Sequence, residues 1–379
     1  MSIQSKLKIG LMTLAPFIGG AEVAAERLAL GLQEAGHEVF LVVGKQGAVM
    51  ERMQQVGLRC IFTPMYCTDK WHWWRYYKAR RSLQQLLVRE CPHVVHSNDL
   101  PTHQIVSDAA LRLGIPRVCH HRFPFPGAAI DWLTKYGAER YLFISQAFME
   151  EMCAHSPRLS ASSRAVVYDG LPLPETPTAE TRQQARRRLG LPSHKTIVIF
   201  AGQIVEHKGV ADLLRAWSLV SQDLKKQAEL LLIGDDLQRE GRYRVAMQQL
   251  ARQLPCEARF VGFQKNVGEW LIASDVAVVP SHVEPFGLAN IEAMSYALPV
   301  IGCAVGGIPE IIVHKQTGLL VPPHLPEQLA MAMAYLLSDQ ETRVRYGRLG
   351  RHRCEQLFSL KAHVGNVLKE YQEIVKLKP

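Results

Sequence analysis

The chain has 379 residues, of which 47% are hydrophobic, and its formal net charge is +9 at pH 7. This length fits two domains of roughly 150–200 residues better than one domain, and no run approaches the ~20 apolar residues of a membrane-spanning helix. The charge excess is +4 up to residue 175 and +5 beyond it, so no tail or single domain is basic. We therefore expect no nucleic-acid partner, and the charge suits a protein that meets phosphates or an anionic surface.

The N-terminus and the cysteines indicate a cytoplasmic protein. The first eight residues lead straight into a short apolar run and lack the core of a signal peptide. The eight cysteines are scattered, with no close pair at the spacing of metal ligands. In a cytosolic chain we expect them to be reduced packing residues.

The first half of the chain alternates short β-rich runs with amphipathic helical stretches, of which 20–34 and 102–113 are examples. The predicted strands are 8–14, 38–43, 59–63, 94–97, 117–120, 141–144 and 165–168. Alternation of this kind predicts a mostly parallel sheet that is covered by helices on both faces.

Two glycines, Gly19 and Gly20, follow the first predicted strand and open the first helix. Glycine lets a backbone approach a ligand, and a helix N-terminus offers free N–H groups to an anion. The pair lacks both the dinucleotide-binding glycine spacing and the Lys-Ser/Thr of a P-loop. A phosphate or substrate loop and a plain tight turn are therefore both compatible with it.

The stretch 70–81 contains five aromatic residues and five Lys or Arg residues. If it forms a helix that continues to residue 90, an apolar stripe faces the core. The stripe consists of Tyr76, Ala79, Leu83, Leu86 and Leu87. A second stripe, close to the opposite side, consists of Trp71, Trp74, Lys78 and Arg81. Exposed Trp with Lys and Arg suits the headgroup region of a membrane; alternatively, the tryptophans pack on loops or line the site of a soluble acceptor.

A proline-rich segment, 171–178, separates two similar halves of the chain. After it come a basic helix at 181–189 and a second alternation of strands and helices. The predicted strands are 196–200, 230–233, 258–261, 276–279, 300–301 and 319–321, and the last 40 residues read as helix with a break at 358–359. We predict an N-terminal domain at 1–172, a linker at 173–190, a C-terminal domain at 191–357, and a final helix at 358–379 that packs back on the first domain.

The predicted fold class is therefore α/β, with two doubly wound Rossmann-like domains facing a cleft and a helical C-terminus. Ligands of such sheets bind at the carboxyl ends of the strands, near the point where the strand order reverses. A cleft between two domains is also a frequent place for small-molecule sites.

Two segments of the second half lie where a ligand is expected. Lys208 follows the first strand of this half, close to a helix start, where it can meet a diphosphate; the alternative is a solvated lysine beside a capping glycine. Glu284 lies on the loop after the strand 276–279, and Gly287 begins a helix whose first amides belong to Leu288 and Ala289. Glu292, one turn inside that helix, is placed to accept hydrogen bonds from a ribose diol.

These residues resemble the motifs of the large retaining glycosyltransferase family 4, whose members have the GT-B fold. The resemblance extends over nearly the whole chain, and it is specific for the family rather than for a particular sugar. Its residues are Pro280-Ser281, Glu284-Pro285-Phe286-Gly287, Glu292-Ala293-Met294, Pro299-Val300, Gly306-Gly307-Ile308-Pro309-Glu310 and Thr317 to Val321, with Gly19-Gly20, Val94-Val95-His96, Gly202 and Lys208-Gly209 in family order.

The resemblance implies a role for each of these positions. Glu284 would lie beside the donor sugar, Glu292 would bind the ribose, and Lys208 would neutralise the diphosphate. The remaining residues implied in donor binding are Gln203, Gly262, Phe263, Phe286, Gly287, Leu288 and Ala289 from the second half, with Gly19 and Gly20 closing from the opposite domain. Gly262 and Phe263 lie where the family usually lets backbone groups meet the base.

The sequence departs from the family pattern at three places. Gln203 stands where arginine is usual, so it can hydrogen-bond a phosphate but adds no charge. Asp169 replaces the asparagine of a Tyr-Asn-Gly turn, a conservative change that should keep the turn. Arg122 stands where spacing puts a histidine that contacts the donor sugar; His120 is then the first candidate and His121 the second, each with the alternative of a buried structural histidine.

The resemblance implies a retaining glycosyltransferase of the hexosyltransferase type. It would move a sugar from a UDP- or GDP-linked donor to a glycan or glycolipid acceptor, such as lipopolysaccharide or a polysaccharide precursor, in peripheral contact with the inner face of the membrane. We expect no cofactor and no metal, because the nucleotide sugar is a substrate and no Asp-x-Asp motif occurs. The alternatives are a nucleotide-sugar epimerase of GT-B fold and a non-catalytic nucleotide-sugar-binding subunit, the latter suggested by Gln203.

Overall fold

A computed structural model describes residues 6–15, 17–67, 73–236, 240–254 and 256–376. The chain forms two compact units. Unit 1 contains Met1–Pro172 and Leu357–Pro379, and unit 2 contains Leu173–Gln356.

Unit 1 is built on a parallel sheet with the strand order β3-β2-β1-β4-β5-β6-β7. The strands are β1 (Lys8–Thr13), β2 (Glu38–Val43), β3 (Arg59–Phe62), β4 (Val94–Ser97), β5 (Arg117–His121), β6 (Arg140–Phe143) and β7 (Arg164–Val166). The order reverses between β1 and β4, so the loops that follow these two strands flank the switch point where doubly wound sheets bind ligands.

Helices cover both faces of the unit 1 sheet. They are α1 (Gly20–Glu34), α2 (Ala48–Gln55), α3 (Trp73–Glu90), α4 (Leu100–Leu111), α5 (Gly127–Leu133), α6 (Gln146–Ala154) and α7 (Pro157–Ser160). Side chains of β2 alternate between two apolar clusters, with Leu41 in the cluster that includes α1 and Phe40 in the one that includes α3 and α4. This alternation is the reason the strands read as continuous apolar runs.

Unit 2 has a six-stranded parallel sheet with the order β10-β9-β8-β11-β12-β13. The strands are β8 (Thr196–Ala201), β9 (Ala228–Ile233), β10 (Ala258–Gly262), β11 (Val276–Val279), β12 (Val300–Cys303) and β13 (Gly318–Val321). The helices are α8 (Ala179–Leu189), α9 (Val210–Leu219), α10 (Gln222–Lys226), α11 (Arg242–Gln253), α12 (Val267–Ala273), α13 (Leu288–Ser295), α14 (Ile308–Ile311), α15 (Pro326–Ser338) and α16 (Gln340–Arg353), with a 3-10 helix at Glu206–Lys208. The switch point of unit 2 lies between β8 and β11.

Most of the segment predicted as a linker is helical. Thr178 caps α8 by accepting a hydrogen bond from the Thr181 amide, and Gly190 ends the helix in a left-handed conformation with φ of 64°. Arg186 of α8 is buried and pairs with Asp275, directly before β11. The helical part of residues 173–190 is therefore packed within unit 2.

The C-terminus continues from α16 through a π-helical segment, Cys354–Phe358, into α17 (Leu360–Lys376). Helix α17 packs on α1 in unit 1, so closely that a Cβ atom added at Gly31 would lie 2.6 Å from Val364. The predicted fold class is confirmed, with two doubly wound parallel sheets and a helical C-terminus. Across the described residues, the helices include none that is both long and apolar enough to cross a membrane.

Candidate active site

The candidate site of unit 2 lies where β8 and β11 end next to each other. Glycine allows the two loops that follow these strands to touch. Gly209 has φ of 69°, and a Cβ atom added there would lie 1.9 Å from the carbonyl oxygen of Pro280. The His282 amide also donates to the carbonyl oxygen of His207 over 2.8 Å. The two loops therefore form one surface at the carboxyl edge of the sheet.

A lysine and a glutamate from these two loops are paired. The Lys208 ammonium donates to Oε2 of Glu284 over 2.6 Å, and the Ser281 hydroxyl donates to the same oxygen over 3.3 Å. The side chains of Lys208 and Glu284 are 24% and 12% exposed, so the pair is partly shielded from water. The structure thus brings together the two charged residues that the sequence placed at the diphosphate and at the donor sugar.

The loop that carries Glu284 packs against two consecutive glycines, Gly306 and Gly307. A Cβ atom added at Gly306 would lie 2.0 Å from the Glu284 carbonyl oxygen, and the Gly307 amide donates to this oxygen over 3.1 Å. Gly287, with φ of 114°, turns the chain into α13. The close approach of these segments explains why only glycine fits at Gly306.

Helix α13 begins immediately after this turn. Leu288 and Ala289 are its first two residues, and N–H groups of a first helical turn have no carbonyl partner inside the helix. Such a helix start favours an anion. Phe286 is buried beneath it, whereas Glu292 is half-buried one turn further on. Burial, followed by the charge of the Glu292 carboxylate, raises the pKa of Tyr296.

Three glycines stand at the carboxyl ends of neighbouring strands. The Gly234 amide donates to the carbonyl oxygen of Gly262 over 2.9 Å, and a Cβ atom added at Gly234 would lie 1.8 Å from the Gly202 carbonyl oxygen. A Cβ atom added at Gly262 would meet no atom within 4 Å. Gln203 and Phe263, which follow two of these glycines, are exposed. The backbone is therefore closely packed between the ends of β8 and β9 and open at Gly262, at the end of β10.

The glycine pair of unit 1 caps α1. Gly19 is the N-cap residue, and its amide donates to Oε2 of Glu22 over 2.9 Å. Gly20 has open space around it, since no atom lies within 4 Å of an added Cβ atom. One amide of the predicted phosphate loop is thus held by a carboxylate of the same helix.

His120 lies in β5 and is fully buried. Arg122 donates from Nη2 to Nδ1 of His120 over 3.1 Å. Because a guanidinium can only donate, Nδ1 is the acceptor and the neutral ring carries its proton on Nε2. Burial, followed by the charge of Arg122, lowers the pKa of His120 well below its ordinary value. A backbone hydrogen bond with Val167 opposes this lowering without reversing it.

His121 points to the opposite face of β5, because side chains alternate along a strand. Its ring centroid lies 5.3 Å from that of Phe143 and 5.1 Å from that of Phe148. Burial lowers the pKa of His121 to about 4. Of the two histidine candidates, His121 therefore has the surroundings of a core residue.

The apolar stripe predicted for α3 is confirmed, because its five residues are buried. On the other side of α3, Trp74, Lys78 and Arg81 are exposed, as predicted. Trp73 and Tyr77, which the prediction left out, are exposed beside them. Trp71 lies outside the described residues.

Sequence reasoning missed two groups of polar residues. The first is a buried ion pair of Arg122 with Asp169 in unit 1; the available signal was that both residues depart from the family pattern. The second is formed in unit 2 by Asp212, His282 and His324. No motif spacing connects these three, so only the structure brings them together.

Comparisons with known proteins agree with this architecture. Residues 19–169 match the model of the glycosyl transferase 4-like domain, and residues 181–353 match the model of glycosyl transferases group 1. An uncharacterized glycosyltransferase of Methanocaldococcus jannaschii is 27% identical over 85% of this chain and 86% of its own length. The N-acetyl-alpha-D-glucosaminyl L-malate synthase of Bacillus anthracis is 26% identical, with 98% of both chains covered.

Solved structures show the same fold. The Anabaena HepE protein in complex with UDP superimposes with a TM-score of 0.84 at 18% identity, covering 97% of this chain and 100% of the other. A glycosyltransferase from Rickettsia africae has a TM-score of 0.86 at 19% identity, with 99% and 100% of the chains covered. With both family models matched in order along the chain, the protein belongs to the group 1 glycosyltransferases of the family 4 type, which have the GT-B fold.

Proposed function

We propose that this glycosyltransferase moves a hexose, with retention of anomeric configuration, from a UDP- or GDP-sugar to a glycan or glycolipid acceptor. Lipopolysaccharide or a polysaccharide precursor is the proposed class of acceptor. The observation that carries the donor half is the pairing of Lys208 with Glu284 over 2.6 Å beside the start of α13. The UDP held by the Anabaena HepE protein supports UDP-sugars as the first donors to test.

In the proposed binding step, the donor diphosphate replaces Glu284 as the partner of Lys208. Two phosphates bring negative charge that the Lys208 ammonium and the amides of Leu288 and Ala289 would neutralise. Glu284 loses its lysine partner in this exchange and becomes an acceptor for sugar hydroxyl groups. When no donor is bound, the pairing with Lys208 keeps the partly buried Glu284 carboxylate from being an unpaired charge.

The reaction proposed for this site needs no protein nucleophile. The acceptor oxygen attacks the anomeric carbon from the face that the diphosphate leaves, the bond between that carbon and the phosphate oxygen breaks, and its electron pair stays on the diphosphate. The acceptor proton passes to a phosphate oxygen. The protein then contributes stabilisation of the leaving charge by Lys208 and α13 and the orientation of two substrates.

The nucleoside would occupy the remaining donor-side residues. Glu292 would accept hydrogen bonds from the ribose diol, and the base would lie on the backbone surface at Gly262 and Phe263. Phe286 and Gly287 would hold the turn, and Gln203 would reach a phosphate without adding charge. Gly20, which has open space around it, would contribute its amide from unit 1, whereas the Gly19 amide is held by Glu22.

The acceptor half of the proposal rests on unit 1. His120 would contact the donor sugar near the acceptor, while α3 would meet a lipid surface through its exposed tryptophans and basic residues. A glycolipid acceptor on the inner face of the cytoplasmic membrane fits such a surface. The reaction consumes the nucleotide sugar as a substrate and requires no cofactor.

Donor transfer by variants of the paired residues tests this function. Wild-type protein is incubated with a panel of UDP- and GDP-sugars, with and without lipid-linked or lipopolysaccharide-derived acceptors, and the product anomer is assigned by NMR. We expect Glu284→Ala and Lys208→Ala each to lower turnover by about 100-fold or more, whereas Lys226→Ala, which removes an exposed lysine of a surface pair, leaves it unchanged.

Other outcomes separate the alternatives. Unchanged turnover in Glu284→Ala removes the proposed role of this residue. Conversion of the nucleotide sugar without any acceptor, with the sugar still attached to the nucleotide, identifies an epimerase. Donor binding without turnover under every condition identifies a binding subunit, and an inverted product excludes retention.

A further inference from the structure

Three side chains of unit 2 with metal-binding atoms converge beside the candidate site. Asp212 lies in the first turn of α9, His282 in the loop after β11, and His324 in the loop after β13. One ligand atom from each, two ring nitrogens and one carboxylate oxygen, lie within 4.8 Å of one another. Three separate chain segments thus supply a histidine–histidine–carboxylate set.

The carboxylate is the centre of this cluster. Oδ2 of Asp212 lies 2.7 Å from Nε2 of His282 and 3.9 Å from Nδ1 of His324. The other carboxylate oxygen, Oδ1, accepts a hydrogen bond from Arg215 over 3.1 Å. Arg215 therefore orients Asp212 so that Oδ2 faces both histidines, as outer partners of metal ligands do.

His324 adopts a backbone conformation that favours glycine. Its φ is 59°, in the left-handed region, which costs a side chain with a Cβ atom roughly 1 kcal/mol. This conformation brings the His324 ring to a centroid distance of 3.8 Å from the His282 ring. The His324 side chain is 67% exposed, so an ion can reach its ring from solvent.

Although the sequence predicts no metal, we propose that Asp212, His282 and His324 form a binding site for a divalent transition-metal ion, with Zn²⁺ as the representative. Two imidazoles and one carboxylate are a common ligand set for such ions and leave coordination positions open. A cavity of about 410 Å³, lined also by Glu206, His207 and Val283, adjoins the two histidines and provides room for water or a further ligand.

The site would act on the loop that carries Glu284. His282 stands two residues before Glu284, and its amide is already bonded to His207. An ion that joins His282 to α9 and to the β13 loop would hold all three segments in one arrangement. The proposal is separate from sugar transfer and goes beyond it, because metal binding is measured directly and does not require turnover.

Metal titration of the untagged full chain tests the site. Chelator-treated protein is titrated with Zn²⁺ by calorimetry, and with Co²⁺ by absorption spectroscopy, near neutral pH. We expect one saturable site per chain, and Co²⁺ bands of nitrogen and oxygen ligation without the charge-transfer band of a thiolate.

Two ligand variants and one matched control locate the ion. His324→Gly removes a ligand and relieves the left-handed backbone, so the variant is expected to fold at least as well as the wild type. We expect His324→Gly and Asp212→Asn each to weaken Zn²⁺ binding at least about tenfold, while His194→Ala, which removes an exposed histidine elsewhere in unit 2, binds as the wild type.

The proposal is overturned if wild-type protein shows no saturable site, if His324→Gly binds Zn²⁺ as tightly as the wild type, or if Co²⁺ shows thiolate ligation. A failed transferase assay alongside normal Zn²⁺ binding contradicts only the proposed function. Thermal unfolding with and without Zn²⁺ gives an independent readout, since an ion that binds only the folded state raises the wild-type midpoint.

Discussion

Arg122 and Asp169 form a buried ion pair in unit 1, in which Nη1 of Arg122 contacts both carboxylate oxygens of Asp169. Their side chains are 3% and 6% exposed. Arg122 also donates to Oδ1 of Asn98 and to Nδ1 of His120, each over 3.1 Å. The same guanidinium therefore connects the end of β5, the segment after β4 and the Tyr168-Asp169-Gly170 turn.

This pair explains two departures from the family pattern together. Arginine in place of histidine adds a positive charge in a buried position, and aspartate in place of asparagine supplies the negative charge that balances it. Asp169 is thus more than a conservative turn residue. An unpaired charge at either position would carry a large desolvation cost.

We predict that Asp169→Asn alone destabilises the protein by about 3–5 kcal/mol, because it leaves the Arg122 guanidinium buried and unpaired. The double variant Arg122→His with Asp169→Asn, which removes both charges, should recover most of this loss. Urea unfolding of the full chain measures the two changes. Asp223→Asn, which breaks an exposed pair with Lys226, serves as the control and should have little effect. Equal destabilisation in the single and double variants would contradict the coupling.

The buried histidines predict how stability depends on pH. Burial lowers the pKa of His121 to about 4 and that of His103 to about 4. The unfolded chain binds these protons near pH 6.5 and the folded chain does not, so folding stability falls as the pH drops from about 6.5 toward 4. Above that window both states are neutral at these rings, and they contribute no pH dependence.

His121→Phe tests this at one residue. Phenylalanine suits a site between Phe143 and Phe148 and has no proton to bind, so the variant should gain stability relative to the wild type by up to about 1.4 kcal/mol for each pH unit below 6.5. Urea unfolding between pH 7.5 and 4.5 measures the slopes. His155→Phe introduces the same ring at an exposed position and serves as the control for the substitution itself. Parallel curves for His121→Phe and the wild type would show that His121 does not titrate with unfolding.

Features formed by residues that are close together in the sequence were predicted, whereas contacts between residues that are far apart in the sequence were not. Strand and helix patterns are local, and they predicted both sheets and the buried stripe of α3. The motif from Glu284 to Glu292 is also local, so its strand–loop–helix setting followed from the sequence.

The contacts that the sequence did not predict join distant segments. Arg122 and Asp169 are 47 positions apart, and Asp212 and His282 are 70 apart. Nothing in the spacing of either pair indicates contact, since it depends on which strands become neighbours in the sheet. His120 and His121 show the same limit. Alternation along β5 separates their faces, but the rings that they contact belong to β4, β6, α6 and α17.

We predict that the substitution Gln203→Arg strengthens UDP binding. The Gln203 side chain is exposed beside the loop that carries Lys208, so an arginine fits there without repacking. We expect Gln203→Arg to tighten UDP binding about tenfold, because a charged hydrogen bond to phosphate replaces a neutral one. Calorimetry with UDP measures the change. Gln227→Arg adds the same charge before β9, at the amino end of that strand, and should leave affinity unaltered. Equal effects of the two variants would assign the change to net charge rather than to a phosphate contact.

The exposed face of α3 predicts binding to anionic membranes. Trp73, Trp74 and Tyr77 are 61%, 52% and 50% exposed, and Lys78 and Arg81 lie exposed on the same helix. Aromatic rings of this kind insert at the headgroup level while the basic residues contact anionic lipids.

We expect the full chain to sediment with phosphatidylglycerol-containing vesicles and less with vesicles of phosphatidylcholine alone. The Trp73→Ala, Trp74→Ala double variant should lose most of this binding. Trp132→Ala removes a tryptophan that is 52% exposed on α5 and should bind as the wild type. If the double variant sediments as well as the wild type, α3 is not the membrane surface, and its tryptophans have to be explained by an acceptor or by packing on neighbouring loops.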